Sequence, residues 1–169
     1  ALAFIDCEAG REERARRGGS LYNCAEAEVV AHIVFLLTAT HPGRWGGHRN
    51  FGGPTIRVLT FYRAQVVEIR RRIERMQRQQ QVFSSPSQIR VDTVDSMQGS
   101  EADIIILSFV RSSRYCGFLA DERRLNVALT RAKCSLILVG RKSTLEQSDA
   151  SHIVSFMESI KERNLFRTL

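Results

Sequence analysis

The sequence predicts a single α/β domain built on a mostly parallel sheet with helices flanking it. Three observations carry that prediction. Short apolar runs of strand length alternate along the chain with longer amphipathic stretches of helical period. The run ADIIILSF at 102–109 is apolar at nearly every position, as expected of a strand hidden on both faces. With 169 residues, 43% of them hydrophobic and only three prolines, the chain is large enough for one sizeable core and too apolar for a disordered segment.

Taken in order, residues 1–6 read as a buried strand, and the charged, Gly-rich stretch at 8–20 as a loop. Asn23, followed three residues later by Glu26, has the capping pattern of a helix start, and Val30, Ile33 and Leu37 then fall on one side of that helix. Residues 38–54 hold five glycines and two prolines, so they predict an exposed excursion, with Trp45 either packed on the body or touching a partner. A second strand is expected at 55–60 and a helix at 62–78 that turns Val66, Ile69, Ile73 and Met76 inward. Its other side carries Arg63, Arg70, Arg71, Arg75 and Arg78, which suits either a solvated face or contact with nucleic acid. After a turn near 79–87, strands follow at 88–94 and 102–109. Residues 114–118 read as a loop, Asp121 as the start of a helix, residues 135–140 as a buried strand and 151–164 as a terminal helix.

The formal charge is +7 and the isoelectric point about 9.8, which suits nucleic acid, nucleotide phosphates or an acidic protein surface without choosing among them. Cys7, Cys24, Cys116 and Cys134 include no CxxC pair, and no histidine stands at ligand spacing from them, so no metal site is expected. Reduced, mostly buried thiols fit an intracellular protein, cytoplasmic or nuclear. No signal peptide is visible and the apolar runs are too short to span a bilayer, so no membrane partner is expected. The strand-like opening ALAFID suits a piece of a longer polypeptide.

Two stretches concentrate chemistry. In RRLNVALTRAK at 123–133, helical spacing puts Arg124, Ala128 and Arg131 on one face beside an apolar strip of Leu125 and Leu129. A guanidinium held near a buried helix suits a phosphate or a carboxylate, so these arginines either pair with acids of neighbouring loops or meet a ligand anion. The loop TVDSMQGSE at 93–101 lies between two apolar strands, where α/β sheets present ligands. Thr93 and Ser96 offer hydroxyls, Gly99 allows close backbone approach, and Asp95 and Glu101 suit cations or ribose hydroxyls; a capped turn would use the same residue types. There is no GxxxxGK[ST] and no strand-ending Asp-Glu pair, so the chain lacks the parts for hydrolysing a nucleotide alone.

The stretches VDTVDSMQGSEADIIILSFVRSS at 91–113 and GFLADERRLNVALTRAK at 117–133 resemble the end of the motor of superfamily 1 RNA and DNA helicases, in the branch of the nonsense-mediated-decay and senataxin-type helicases. The resemblance extends to the FID of the first strand, to S-x-x-N-x-x-E-A from Ser20 through Asn23 to Ala27, and to YRAQ at 62–65. It implies a two-domain motor with ATP in the cleft between RecA-like domains, of which residues 1–169 are the second, C-terminal one. The Mg²⁺ that accompanies ATP is then held mainly by the first domain, which also supplies the P-loop. By motif position Arg131 is implied as the arginine finger. Arg124, Gln98, Gly99, Glu101, Tyr62 and Gln65 are implied at the nucleotide, and Thr93, Asp95 and Ser96 in coupling to the nucleic-acid backbone, with Arg70 and Arg71 as basic candidates for the same strand.

Where such helicases place a second phosphate-contacting arginine directly after that glutamine, this chain has Val66, which implies weaker transition-state stabilisation. The resemblance implies a 5′-to-3′ ATP-dependent helicase acting on single-stranded RNA or DNA, partnered by its own first domain and by RNA-processing proteins. A nuclease-associated DNA helicase with the same motor, or a non-hydrolysing nucleic-acid- or protein-binding module that inherited the fold, are the rival expectations.

Overall fold

The computed structural model describes residues 1–39, 54–80, 89–97 and 100–167. Its main sheet has six strands, all parallel: β1 (Leu2–Asp6), β4 (Ile56–Thr60), β5 (Ile89–Thr93), β6 (Ala102–Ser108), β7 (Ala132–Gly140) and β8 (Phe166–Arg167), in the order β5-β4-β6-β7-β1-β8. A separate two-stranded hairpin pairs β2 (Glu13–Arg14), within the 8–20 stretch expected to be a loop, with β3 (Leu21–Tyr22) directly after it. Two-residue strands carry too little pattern to be seen in sequence; they form because the loop folds back on itself.

Among the described residues five helices cover the sheet: α1 (Cys24–Ala39), α2 (Arg63–Gln80), α3 (Glu122–Leu129), α4 (Lys142–Glu146) and α5 (Ser151–Glu162). Short 3-10 turns occupy Val94–Met97 and Gly117–Ala120. The predicted α/β architecture is therefore the one observed, with α4 and β8 added. The predicted excursion runs largely outside the described residues, Trp45 included, although α1 continues through Thr38 to Ala39.

Alternation along the strands divides the core in two. On one face Ile5, Val58, Ile104, Ile106 and Val139 pack with Val30, Val34, Val66 and Ile69 of α1 and α2. On the other, Phe4, Leu59, Ile105, Leu107 and Leu138 pack with Leu125, Leu145, Ile153 and Met157 of α3, α4 and α5. The central strand β6 serves both layers, and Ile104, Ile105, Ile106 and Leu107 are each at most 2% exposed, which is why its sequence shows no polar alternation. A register shift between Ala102 and Ile104 lets Ala102 share a face with Ile105.

Helix starts follow the capping chemistry of the sequence. Asn23 Oδ1 accepts from Glu26 N at 3.1 Å to begin α1, and Asp121 accepts from Arg123 N at 3.0 Å to begin α3. Ser20 Oγ accepts from Ala64 N at 3.1 Å, so the hairpin side of the molecule caps the first turn of α2. α3 ends at Leu129 with Thr130 as its cap, because Ala132 already pairs with Ala102 in the sheet. Arg131 therefore stands just past the helix on which it was expected.

Candidate functional site

All strands of the main sheet run the same way, so its carboxyl and amino ends are chemically distinct, and the predicted residues divide between them. Tyr62 and Gln65 follow β4 at the carboxyl end, where Thr93 closes β5 and Asp95 and Ser96 follow it. The chain then crosses to the amino end of β6, where Glu101 precedes Ala102. α3 brings the chain from the carboxyl side of β6 to the amino end of β7, and the Arg131 carbonyl accepts from Ala102 N at 3.1 Å. Glu101 and Arg131 are thus backbone neighbours. The stretch 93–101, one loop in sequence, serves both ends of the sheet. Gln98 and Gly99 lie outside the described residues.

Arg124 is placed by α3 and by the turn after β5. Its Nε lies 3.0 Å from Asp95 Oδ1 and 3.8 Å from Asp121 Oδ2, so it does form the ion pair that an ordinary surface arginine would. Its guanidinium also lies 5.4 Å from the centre of the Phe118 ring, which in turn stands 5.8 Å from the Tyr62 ring. Tyr62 is 4% exposed while Phe118 is 56% exposed, so the aromatic surface offered to solvent is that of Phe118. A cleft of about 210 Å³ opens between Val94, Asp95, Arg123, Arg124 and Val127.

Arg131 differs from Arg124. Its Nε donates to Val127 O at 3.3 Å and a terminal nitrogen to Thr130 Oγ1 at 3.4 Å, and among the described residues no carboxylate pairs with it. Half-buried against the end of α3, it is a pre-placed guanidinium whose charge is uncompensated. That donor set fits a phosphate. Thr93 and Ser96 bond to each other, with Ser96 Oγ donating to Thr93 O at 2.7 Å, which ties the turn into a compact polar knuckle.

Gln65 builds a buried polar cluster at the carboxyl end of β6 with Ser108 and with Asn23 and Glu26, which the sequence marked as a capping pair and as part of the S-x-x-N-x-x-E-A run. Gln65 Oε1 accepts from Asn23 N at 2.8 Å, and its Nε2 donates to Ser108 Oγ at 3.0 Å and Asn23 O at 3.3 Å. Glu26 Oε2 accepts from Ser108 Oγ at 2.7 Å and from Val110 N at 2.8 Å, and Asn23 Nδ2 donates to Val110 O at 3.2 Å. Asn23, Glu26, Gln65 and Ser108 are all 0% exposed. Burial pushes the Glu26 carboxyl up to about 7 against the opposing pull of its hydrogen bonds. Val110, with φ of 72°, sits in the left-handed region that a β-branched residue avoids, and both of its backbone polar groups are held by this cluster.

The next residue, Arg111, is also buried. Its Nε lies 3.3 Å from Glu12 Oε2, and it donates to Ser113 Oγ at 2.8 Å and to the Tyr115 carbonyl. Glu12 in turn accepts from Ser112 N at 2.9 Å, so the hairpin loop is clasped to the end of β6. The partners of Glu26, Arg111 and Glu12 lie about eighty to a hundred positions away in sequence, so no local pattern signals them.

The arginine-rich face of α2 is mostly engaged within the chain. Arg70 donates to Val91 O at 2.6 Å and lies 3.5 Å from Asp92, and Arg71 pairs with Glu68 at 2.8 Å. Arg72 joins Glu68, at 2.8 Å, to Glu28 of α1. Val66 is 8% exposed, inside the α1–α2 core. Among the described residues no group of three or more His, Cys, Asp or Glu side chains forms a metal site, and no helix is long and apolar enough to cross a membrane.

A parallel sheet covered on both faces, with arginines presented from the strand-flanking segments, is consistent with the RecA-like class of α/β domain. A family model described as an AAA domain matches residues 1–143. The chain belongs to that family, as a RecA-like domain of the superfamily 1 helicases. It is 38% identical over 164 residues to an uncharacterized ATP-dependent helicase of Methanocaldococcus jannaschii, covering 96% of this chain and 21% of that protein. It is 41% identical over 140 residues to helicase sen1 of Schizosaccharomyces pombe, covering 82% and 8%, and 36% identical over 169 residues to the regulator of nonsense transcripts 1 of Dictyostelium discoideum, covering 97% and 11%. The chain thus spans no more than about a fifth of the length of these relatives.

Proposed function

We propose that the chain is the second, C-terminal motor domain of an ATP-dependent 5′-to-3′ helicase that moves on single-stranded RNA or DNA. The observation that carries this reading is Arg131, a half-buried guanidinium with no carboxylate partner among the described residues, backbone-adjacent to Glu101. An arginine so placed neutralises charge on a terminal phosphate presented by a facing domain. Arg124, beside the cleft at Asp95, orients the nucleotide, with Tyr62 behind Phe118 on the same side of the sheet. By motif position Gln98, Gly99, Glu101 and Gln65 also belong to the nucleotide site. Thr93, Asp95 and Ser96, with Arg70 and Arg71, contact or couple to the nucleic-acid strand. ATP supplies the phosphoryl group whose loss drives stepping, and its Mg²⁺ belongs to the first motor domain. RNA-processing proteins are the further partners.

The test is the ATPase of the full-length protein with and without single-stranded nucleic acid, for the native protein and for Arg131→Ala. Stimulated turnover that falls by about a thousandfold or more in the variant is the expected result. Turnover unchanged by the substitution removes the finger assignment, and no turnover in the native protein favours a second reading, a binding module that does not hydrolyse. Val66 supports that second reading: where such helicases place an arginine, this chain packs an apolar side chain in the core.

A further inference from the structure

One opening among the described residues is lined by none of the residues given a role under the proposed function, although Arg63 belongs to the basic face read from the sequence. A trough of about 530 Å³ runs between the β2–β3 hairpin and the first turns of α2, with Arg17, Gly18 and Tyr22 on one wall and Arg63 and Val67 on the other. It lies at the carboxyl end of the sheet, on the side of α1 and α2, across the sheet from α3.

Three features distinguish it from ordinary basic surface. Arg17 and Arg63 are exposed and, among the described residues, neither forms an ion pair, whereas Arg70, Arg71, Arg72, Arg75 and Arg78 of the same helix all do. The one carboxylate lining the trough, that of Glu68, is already bonded to Arg71 and Arg72 at 2.8 Å each, so it does not oppose an incoming anion. Finally, Val67 is 66% exposed beside these cations, an apolar surface in a charged setting. Arg11 and Arg16, also exposed and without ion pairs among the described residues, extend the positive field along the hairpin.

The walls are fixed rather than loose. Ser20 caps α2 through Ala64 N, and the hairpin loop is clasped by Glu12 to Arg111 and Ser112. Gly18 and Gly19 take φ of 76° and 63° to turn the hairpin, and a side chain at Gly18 would meet nothing within 4 Å, so the backbone there is open to close approach.

We propose that this trough holds the sugar–phosphate backbone of a single nucleic-acid strand, with Arg17 and Arg63 on phosphates and Val67 against a sugar or base edge. An acidic peptide would match the same charge and apolar surface; the helicase reading favours the nucleic-acid strand, and a polyglutamate competitor separates the two. The inference rests on the helicase reading above and extends it to Arg17 and Val67, which lie outside the helicase-like motifs, and to Arg63, to which the motif resemblance assigns no role. Contacts of this kind position a strand without reading its sequence.

The experiment is fluorescence anisotropy of labelled twelve-nucleotide oligo-dT and oligo-U on the full-length protein across a salt series. Arg17→Ala/Arg63→Ala should bind about tenfold more weakly, and its plot of log affinity against log salt should be shallower by about 1.4, since each lost phosphate contact removes about 0.7. Arg75→Ala/Arg78→Ala, which removes equal charge from the far part of α2, should bind as the native protein does. Circular dichroism confirms that both variants are folded. If the native protein binds neither oligonucleotide, the helicase reading falls with the trough. If it binds and the two double variants behave alike, the trough alone is wrong. A polyglutamate competitor that binds more tightly than oligo-dT at equal charge reassigns the surface to an acidic peptide.

Discussion

Replacing Glu26 by glutamine should remove a pH dependence from the stability of this domain. Burial pushes the carboxyl up from an ordinary value near 4.5 to about 7 when folded, because it disfavours the ionised form more than the Val110 and Phe109 backbone and the Ser108 hydroxyl favour it. Below pH 4.5 the group is protonated in both states and its burial carries no ionisation cost. As pH rises from about 4.5 to about 7, the unfolded chain releases the proton while the folded chain retains it, so stability is lost across that window and is level above it. At about 1.4 kcal/mol for each pH unit between the two values, the loss is about 3 kcal/mol. Glu26→Gln keeps an oxygen for Val110 N and Ser108 Oγ but cannot ionise. Urea unfolding of both proteins from pH 4.5 to 8 isolates the effect, because the other titrating groups cancel in the difference. The advantage of native protein over variant should shrink by about 3 kcal/mol as pH rises. A difference that stays flat, or grows in favour of the native protein, refutes the argument from burial.

Two further substitutions probe the same architecture. Asn23→Ala removes the cap on Glu26 N and the donor to Val110 O, and should lower stability by about 2–4 kcal/mol in urea unfolding, since it deletes a helix cap and strands a buried carbonyl. Arg72→Met breaks the bridge between Glu28 and Glu68 and should lower stability by about 1–2 kcal/mol at low salt; an unchanged melting temperature shows that the clasp between α1 and α2 contributes nothing.

Much of the fold was legible because its main elements are long enough to carry a period. The apolar run of β6 announced a strand covered on both faces, and the Asn23–Glu26 and Asp121 patterns marked two helix starts that the structure keeps. The hairpin, α4 and β8 were not legible, since elements of two to five residues exist only through their neighbours. The candidate site divides in the same way. Motif spacing singled out Arg124 and Arg131 together, yet only packing shows that one has a carboxylate at 3.0 Å and that the other has none among the described residues.

Residue order and hydrophobic period by themselves determined the α/β class and the alternation of strands and helices, because each is written in short-range spacing, while the family came from the resemblance of the sequence motifs to known helicases. Tertiary structure alone decided what the charged side chains do. Arg70 resembles Arg63 in sequence, but the fold brings Asp92 of β5 to Arg70 and leaves Arg63 without an acid among the described residues. Glu26 reads as a helix cap, and becomes a buried carboxyl only because the end of β6 arrives above it. A side chain's charge is local, but the partner that compensates it is chosen by the path of the whole chain.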